Sequence, residues 1–138
     1  MLTLHQGLGI GLAAGLVGTM ITGQLNYNDK FWGGGNSGRY ETLHEVFAFS
    51  TLSIAAVVAP LALFAPEPLE KEHGFDRLTL HKIGEFTAFA CWAAELVMGL
   101  LTVDHEGLFD QRTLAQVHLA IGYTSLAGML VGVGAIVF

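Results

Sequence analysis

Four histidines recur in this sequence at nearly even intervals, and they are the side chains best suited to chemistry. Each ends a similar tetrapeptide, and successive histidines are 39, 37 and 37 residues apart. The tetrapeptides are Leu2-Thr3-Leu4-His5, Glu41-Thr42-Leu43-His44, Leu78-Thr79-Leu80-His81 and Ala115-Gln116-Val117-His118. Neutral imidazole is a common metal ligand, and a regular repeat marks a repeated structural unit. The spacing therefore predicts four equivalent segments, each beginning with a side chain that can hold a metal or a metal-containing cofactor.

The stretches that follow these histidines carry almost no charge. Of the 138 residues, 52% are hydrophobic and 13% are charged, whereas about a quarter of a typical soluble domain is charged. Three stretches have no charged residue and a fourth contains only Glu95; they are residues 6–28, 46–66, 113–138 and 86–103. A membrane-spanning helix needs roughly 20 mostly apolar residues, and these runs lack the alternation of a membrane β-barrel. The composition indicates an integral membrane protein and excludes a basic nucleic-acid-binding domain.

We predict an all-α fold, an integral membrane antiparallel four-helix bundle that forms a single domain over residues 1–138. The predicted helices cover residues 3–25, 40–64, 79–102 and 112–137. The predicted loops cover residues 26–39, 65–78 and 103–111, and they hold most of the acidic side chains behind the net charge of −6. Pro66 and Pro68 are expected to end the second helix. His73 and His105 fall in loops and are expected to be ordinary surface residues.

Antiparallel packing determines which histidines meet. The first and third helices enter the membrane from one side, and the second and fourth enter from the other. We therefore expect His5 and His81 to lie at one depth, near one membrane face. His44 and His118 should lie together near the opposite face.

Small residues dominate the helix faces that continue from these histidines. Positions four, seven, eleven and fourteen after each histidine share its face, and polar residues in a membrane face the bundle interior. The predicted inward faces are Gly9, Leu12, Leu16, Thr19 and Gly23; Ala48, Thr51, Ala55, Val58 and Ala62; Glu85, Ala88, Trp92, Glu95 and Gly99; and Gly122, Ser125, Met129 and Gly132. Small residues allow close helix packing, but a histidine at the head of every face favours room for a large flat ligand. Ala48 and Gly122 are predicted to contact that ligand.

The paired imidazoles favour two haem b groups, one held by His5 and His81 and the other by His44 and His118. Two histidines on facing helices are a common axial ligand set for a b-type haem. Copper or zinc also binds neutral imidazole, but a bare ion does not need small residues for two turns beyond the ligand. A chlorophyll needs one histidine and leaves the pairing unexplained. A further alternative is hydrogen bonding of the histidines at the membrane interface, which suits His5 best.

Cationic side chains near the helix ends are candidate partners for haem propionates. Lys82 and Arg77 lie at the end of the bundle predicted to hold His81, and Arg39 and Arg112 lie at the other end. We expect Lys82 and Arg112 to contact the cofactors.

Glu95 is the one carboxylate deep within an apolar stretch. It follows His81 by 14 residues, or about 21 Å at 1.5 Å per residue, which puts it near the depth of His44 and His118. An ionisable residue inside a membrane is a functional candidate. Three roles are open: a hydrogen bond to a ligating imidazole, uptake of a proton from a quinol, or a protonated side chain bonded to a neighbouring helix.

The first helix carries a ridge of glycines at four-residue spacing. Gly7, Gly11 and Gly15 form two overlapping Gly-x-x-x-Gly motifs, and by angular count this ridge points away from His5. Such a ridge allows close packing of another membrane helix. It predicts a docking surface for a neighbouring helix or for another membrane subunit.

The layout of the histidines resembles the four-helix core of the cytochrome b561 family. In that family, two haems are bound near opposite membrane faces between alternate helices, and the matching positions here are His5 with His81 and His44 with His118. The segment from His118 to Tyr123 is similar to the His-x-x-x-Gly-Tyr pattern of such cytochromes. This chain differs in having four spans where eukaryotic members have six, and it has no evident basic cluster for ascorbate.

The resemblance implies transmembrane or quinone-linked electron transfer. Redox partner proteins or a quinone would supply and accept the electrons, the chain would be one subunit of a larger redox complex, and a bacterial cytoplasmic membrane is the expected location. An alternative is a structural or chlorophyll-type pigment-binding subunit of a membrane assembly. A third possibility is an ion or proton carrier centred on Glu95.

Overall fold

A computed structural model describes residues 2–64 and 74–137, and all regular secondary structure in those ranges is α-helical. The helices are α1, Leu2–Phe31; α2, Glu41–Phe64; α3, Arg77–Asp104; and α4, Gln111–Val137. All four are long and apolar enough to cross a membrane. The predicted all-α four-helix bundle is confirmed, and its apolar helices indicate an integral membrane protein. Pro66, Pro68 and His73 lie outside the described residues.

Helix α1 continues six residues beyond its predicted end at residue 25, through the polar segment of residues 26–31. Asp29 is buried, and its carboxylate accepts hydrogen bonds from Ser37 Oγ at 2.9 Å and from the backbone N–H of Gly38 at 2.9 Å. Lys30 lies in the last turn, where a cation complements the helix dipole. The turn after α1 therefore folds back on the helix and stabilises its last turns.

Helix α3 begins two residues earlier than predicted because a side chain caps it. The carboxylate of Asp76 accepts a hydrogen bond from the backbone N–H of Thr79 at 2.7 Å, which satisfies one of the free N–H groups of the first turn. At the other end of α3, His105 occupies the C-cap, and its own N–H donates to the carbonyl of Leu101. His105 is therefore a loop residue, as predicted.

The helices do not all pack equally. Helix α3 packs most extensively on α4, and α1 packs on both α2 and α4. Helices α2 and α3 have no extensive contact in the described part of the chain. The core is formed by Leu12, Leu16, Met20, Ala55, Val58, Ala88, Trp92 and Met129. These buried residues fall on or beside the predicted histidine faces, which therefore do turn inward, although Ala62 at the end of one face is exposed.

Glycines allow α3 and α4 to approach closely at the end of the bundle that holds His81. A Cβ added at Gly84 would lie 2.5 Å from the backbone nitrogen of Gly132 and 2.6 Å from the carbonyl oxygen of Gly128. Ser125 Oγ donates to the carbonyl of Ala88 at 3.2 Å in the same interface. At this end of the bundle, the small residues serve close helix packing.

The predicted glycine ridge of α1 divides into two parts. A Cβ at Gly7 or Gly11 would meet no atom within 4 Å in the described chain, whereas one at Gly15 would lie 2.7 Å from Thr51 Oγ1 on α2. Gly15 is therefore an internal packing residue of the α1–α2 contact, which is the neighbouring-helix alternative of the prediction. For Gly7 and Gly11, docking of another membrane subunit stays a prediction.

We expect Gly84→Ala to destabilise the bundle by about 1–3 kcal/mol, since its methyl group overlaps backbone atoms that cannot move aside. The measurement is the free energy of unfolding of the purified chain in mixed detergent and SDS micelles, followed by circular dichroism. Gly134→Ala on α4 is the matched control, because a Cβ there meets no atom within 4 Å. Equal stabilities of the two variants would contradict the proposed close approach.

Candidate functional site

The four repeated histidines form two pairs at opposite ends of the bundle. The ring centres of His44 and His118 are 6.2 Å apart with an angle of 73° between the ring planes. Those of His5 and His81 are 6.3 Å apart with an angle of 86°. One pair joins α2 to α4 and the other joins α1 to α3, so each pair spans alternate helices. The structure brings together the same partners that the antiparallel layout predicts.

The separation of the rings matches that of two imidazoles bound to one metal atom. An imidazole nitrogen lies about 2.0 Å from a first-row metal and about 1.15 Å from the centre of its own ring. Two nitrogens on opposite sides of one metal atom therefore place the ring centres about 6.3 Å apart. Both pairs have this spacing, although they are built from different helices.

The Nδ1 atoms of three of these histidines face oxygen atoms. His44 Nδ1 lies 3.2 Å from the carbonyl oxygen of Thr19, and His81 Nδ1 lies 2.8 Å from that of Gly132. His118 Nδ1 lies 3.0 Å from the Oε2 atom of Glu95, without the alignment of a hydrogen bond. A metal-ligating histidine usually donates its other ring N–H to a carbonyl or carboxylate, which fixes the ring and leaves the second nitrogen free. The arrangement leaves Nε2 as the ligating atom.

His5 is the least supported of the four histidines. Among the described residues, the buried Nδ1 atoms of His5 and His118 make no hydrogen bond, but His118 Nδ1 still has a carboxylate oxygen 3.0 Å away, that of Glu95. The ring orientation of His5 is therefore held only by packing and by the ring of His81. The two ends of the bundle are thus similar in ring spacing but unequal in how the rings are supported.

A constant register relates the two ends. Thr19, Glu95 and Gly132 face the rings of His44, His118 and His81, respectively. Each of them lies 14 residues after the repeated histidine of its own helix: Thr19 after His5, Glu95 after His81 and Gly132 after His118. Fourteen residues of helix rise about 21 Å. Each of these three helices therefore carries an imidazole for one pair and a supporting oxygen for the other, and the pairs are separated by about 21 Å along the bundle.

A cavity of about 730 Å³ surrounds the His44/His118 pair. Its size falls in the range of small-molecule and cofactor sites, about 300–1,000 Å³. All four helices line it, and the predicted contact residues Ala48, Glu95 and Gly122 are among the lining residues. His5 and His81 do not line this cavity. Small residues at this end of the bundle thus leave space for a ligand, whereas the small residues near Gly84 allow the helices to pack together without a cavity.

Glycines on α1 and α3 border the paired imidazoles. A Cβ at Gly23 would lie 2.9 Å from Cε1 of His44, and one at Gly99 would lie 3.4 Å from Cε1 of His118. Both glycines lie on the predicted inward faces. Gly23 belongs to α1 and Gly99 to α3, the two helices that do not supply this pair of histidines. Space therefore remains between α1 and α3 beside the rings.

Polar side chains line the cavity at the end nearest the loops. Lys30 lines it and binds Glu41 at 2.9 Å and Glu106 at 3.0 Å. Asn26 also lines it, and its buried Oδ1 atom has no hydrogen-bond partner in the described ranges. Tyr27 lines it too and accepts a hydrogen bond from Gln116 at 3.1 Å.

The sequence did not predict these residues as part of the site because the predicted first helix ends at residue 25. The available signal was the spacing of four residues between Asn26 and Lys30, which places both on one face of a continued helix.

The predicted cationic partners lie elsewhere. Arg112 is exposed and does not line the cavity, because six residues of helix turn it about 240° away from His118. Lys82 is also exposed, one position and about 100° around α3 from His81. Arg77 is exposed as well, and Arg39 lies 4.5 Å from the ring centre of Tyr40. Among the described residues, the cation that lines the cavity at the His44/His118 end is Lys30, and a cofactor contact of Arg112 stays a prediction.

The comparisons with other proteins give no relative for this chain: no protein-family model, curated protein or solved structure matches it. Within the described residues, no group of three or more His, Cys, Asp and Glu side chains could hold a metal ion. The resemblance to the cytochrome b561 core therefore stays a prediction. The function proposed below depends on the histidine pairs, their supporting oxygens and the cavity.

We expect Lys30→Met to lower the free energy of unfolding by about 1–2 kcal/mol, between the values for exposed and buried ion pairs. The substitution leaves the carboxylates of Glu41 and Glu106 close together without a cation. Thermal unfolding in detergent at low and high salt is the measurement, because loss of the pairs should also reduce the dependence on salt. Arg112→Met is the control and should change stability by less than about 0.5 kcal/mol. The assignment of Lys30 fails if the two variants behave alike.

Proposed function

We propose that this chain is a dihaem b-type membrane cytochrome that transfers electrons across or within the membrane. His5 and His81 would hold one haem, and His44 and His118 the other. The observation that carries the proposal is the ring spacing of 6.2 and 6.3 Å in two separate pairs. That spacing suits two imidazoles bound to one iron. Helix packing or hydrogen bonding at the membrane interface gives no reason for the same spacing to occur in two separate pairs.

The cavity favours a haem over a bare metal ion or a chlorophyll. A bare ion needs little more than its ligands, whereas about 730 Å³ of space adjoins the His44/His118 pair. A metal whose remaining positions are filled by its own macrocycle needs only two protein ligands. A chlorophyll magnesium takes one histidine, so the facing of two rings at metal-bridging distance supports a haem.

The distribution of polar groups in the cavity also fits a haem b. The macrocycle is apolar and carries two propionates on one edge. Leu16 and Trp92 provide apolar walls, while Asn26 and Lys30 lie at the end nearest the loops. A lysine ammonium and an unpartnered amide can bind carboxylates. Lys30 would thus take the role that the sequence assigned to Arg112.

A bound haem would supply reversible one-electron chemistry at its iron. The residues of this chain would hold and tune the two haems, with two imidazoles at each site. The carbonyl oxygens of Thr19 and Gly132 would orient two of the rings, and the carboxylate of Glu95 lies beside a third. The packed core, including Leu12 and Met129, excludes water between the two ends. A rigid, water-free surrounding keeps the structure nearly unchanged when an electron arrives or leaves.

Electron donors and acceptors would reach the two ends from outside the chain. The loops that the structure describes are short turns between helices and carry no further pair of facing imidazoles. A membrane quinone or redox partner proteins would supply the electrons, as the likeness to the cytochrome b561 core implies. A larger redox complex in a bacterial cytoplasmic membrane is the setting that we propose.

We expect the purified chain to show a Soret band and to contain two haems, measured by the pyridine haemochrome method. His44→Ala and His118→Ala should each remove one haem, because a single axial imidazole remains at that site. His5→Ala and His81→Ala should remove the other haem. The reduced-minus-oxidised spectra of the two groups of variants should add up to that of the unaltered chain.

The matched control is His105→Ala, since that histidine caps α3 and belongs to neither pair. It should keep both haems. Chlorophyll in a pigment extract, or bound copper or zinc without haem, would support one of the alternatives instead. A chain that binds no haem at all overturns the proposal.

A further inference from the structure

The two histidine pairs differ most in what faces the Nδ1 atoms. His44 and His81 face backbone carbonyl oxygens, which carry no net charge. His118 faces the side chain of Glu95, which is the one acidic residue between positions 86 and 103. The carboxylate comes within 3.0 Å of His118 Nδ1 from α3, without forming an aligned hydrogen bond, while His118 itself belongs to α4. One of the two pairs therefore has an acidic partner that comes from another helix.

We propose that Glu95 is a positioning residue that orients the His118 imidazole and lowers the reduction potential of the haem held by His44 and His118. The inference rests on the proposed function. At 3.0 Å from His118 Nδ1, the carboxylate of Glu95 would accept its N–H after a small rotation of the ring. An imidazole that donates its Nδ1–H to a carboxylate is a stronger donor through Nε2 than one that donates to a neutral carbonyl. Stronger donation stabilises the oxidised iron, and hydrogen bonding around the axial ligands is a main influence of the protein on the potential.

A glycine one turn after His118 borders the Glu95 carboxylate. A Cβ at Gly122 would lie 3.5 Å from Glu95 Oε2, which is an ordinary contact distance, and 2.7 Å from Met20 Sδ, which is an overlap. Gly122 therefore makes room first for the Met20 side chain of α1, and the carboxylate lies beside the same position.

The other acidic residue on the inward face of α3 has a different relation to its histidine. Glu85 Oε1 lies 4.0 Å from His81 Nδ1, which is too far for a hydrogen bond. The nearer partner of His81 Nδ1 is the carbonyl oxygen of Gly132 at 2.8 Å. Glu85 lies on the same helix as His81, packs against Gly132 and is similar to Glu95 in exposure. It is therefore a matched control for the effect of a nearby carboxylate.

The experiment is a redox titration of the purified dihaem chain in detergent, followed by its visible spectrum. In Glu95→Gln, we expect the potential of the His44/His118 haem to rise by an amount equal to about a tenfold change in its reduction equilibrium, about 59 mV for one electron. The other haem should keep its potential. The ferric electron paramagnetic resonance signal of the affected haem should shift as well, since ring orientation changes with the partner.

Glu85→Gln should leave both potentials unchanged. If Glu95→Gln retains both haems at their original potentials and with unaltered resonance signals, the proposal is overturned. Loss of the His44/His118 haem alone in Glu95→Gln, with Glu85→Gln intact, supports the positioning role. A chain without haem would instead contradict the proposed function, so the two failures are distinguishable.

A second measurement keeps the residue Glu95 in place. His5→Ala leaves only the His44/His118 haem, and His44→Ala leaves only the other one. We expect the haem that remains in His5→Ala to titrate at the lower potential. The reverse order overturns the inference, whatever the fold of the Glu95 variants.

Discussion

The facing of two imidazoles across a diagonal of the bundle is the constraint on which the rest of this structure depends. A separation near 6.2 Å between ring centres requires alternate helices to stand far enough apart for two rings and the space between them. A contact at the second ring nitrogen helps to keep a ring at its angle, and three of the four rings have an oxygen atom facing Nδ1. The extensive contacts in the described chain are accordingly those of α3 with α4, α1 with α2 and α1 with α4, and none of these joins two helices that share a histidine pair.

Small residues have two opposite roles along the same helices. Near Gly84, Gly128 and Gly132, their lack of side chains brings the backbones of α3 and α4 together. Near Gly23 and Gly99, the same lack of side chains leaves an opening beside the histidine rings. The difference lies in the neighbours: at one end glycine meets glycine, and at the other it meets an imidazole. A small-residue pattern alone therefore does not distinguish packing from binding.

The fold and the histidine pairs were predictable because they depend on period and hydropathy. Four apolar stretches predict the four helices, and their antiparallel order is enough to predict that His44 lies near His118. The inward faces also followed from helical spacing. The last turns of α1 did not, because they are stabilised by the contact of Asp29 with Ser37 and Gly38, and Lys30 entered the cavity with them. The spacing from His81 predicted that Glu95 lies at the depth of the His44/His118 pair. Its contact with His118 was not predictable, because it depends on how α3 and α4 are rotated about their axes relative to each other.

The 14-residue register determines where the two pairs lie within a bilayer. A separation of about 21 Å is shorter than the roughly 30 Å hydrocarbon thickness of a membrane. If the bundle is centred, each pair lies about 4–5 Å below the boundary between acyl chains and headgroups. At that depth, the rings are shielded from bulk water, yet a protein docked on the membrane surface or a quinone headgroup at the interface is only a short distance away. Under the proposed function, this register would place each histidine pair within reach of electron donors and acceptors at one membrane surface.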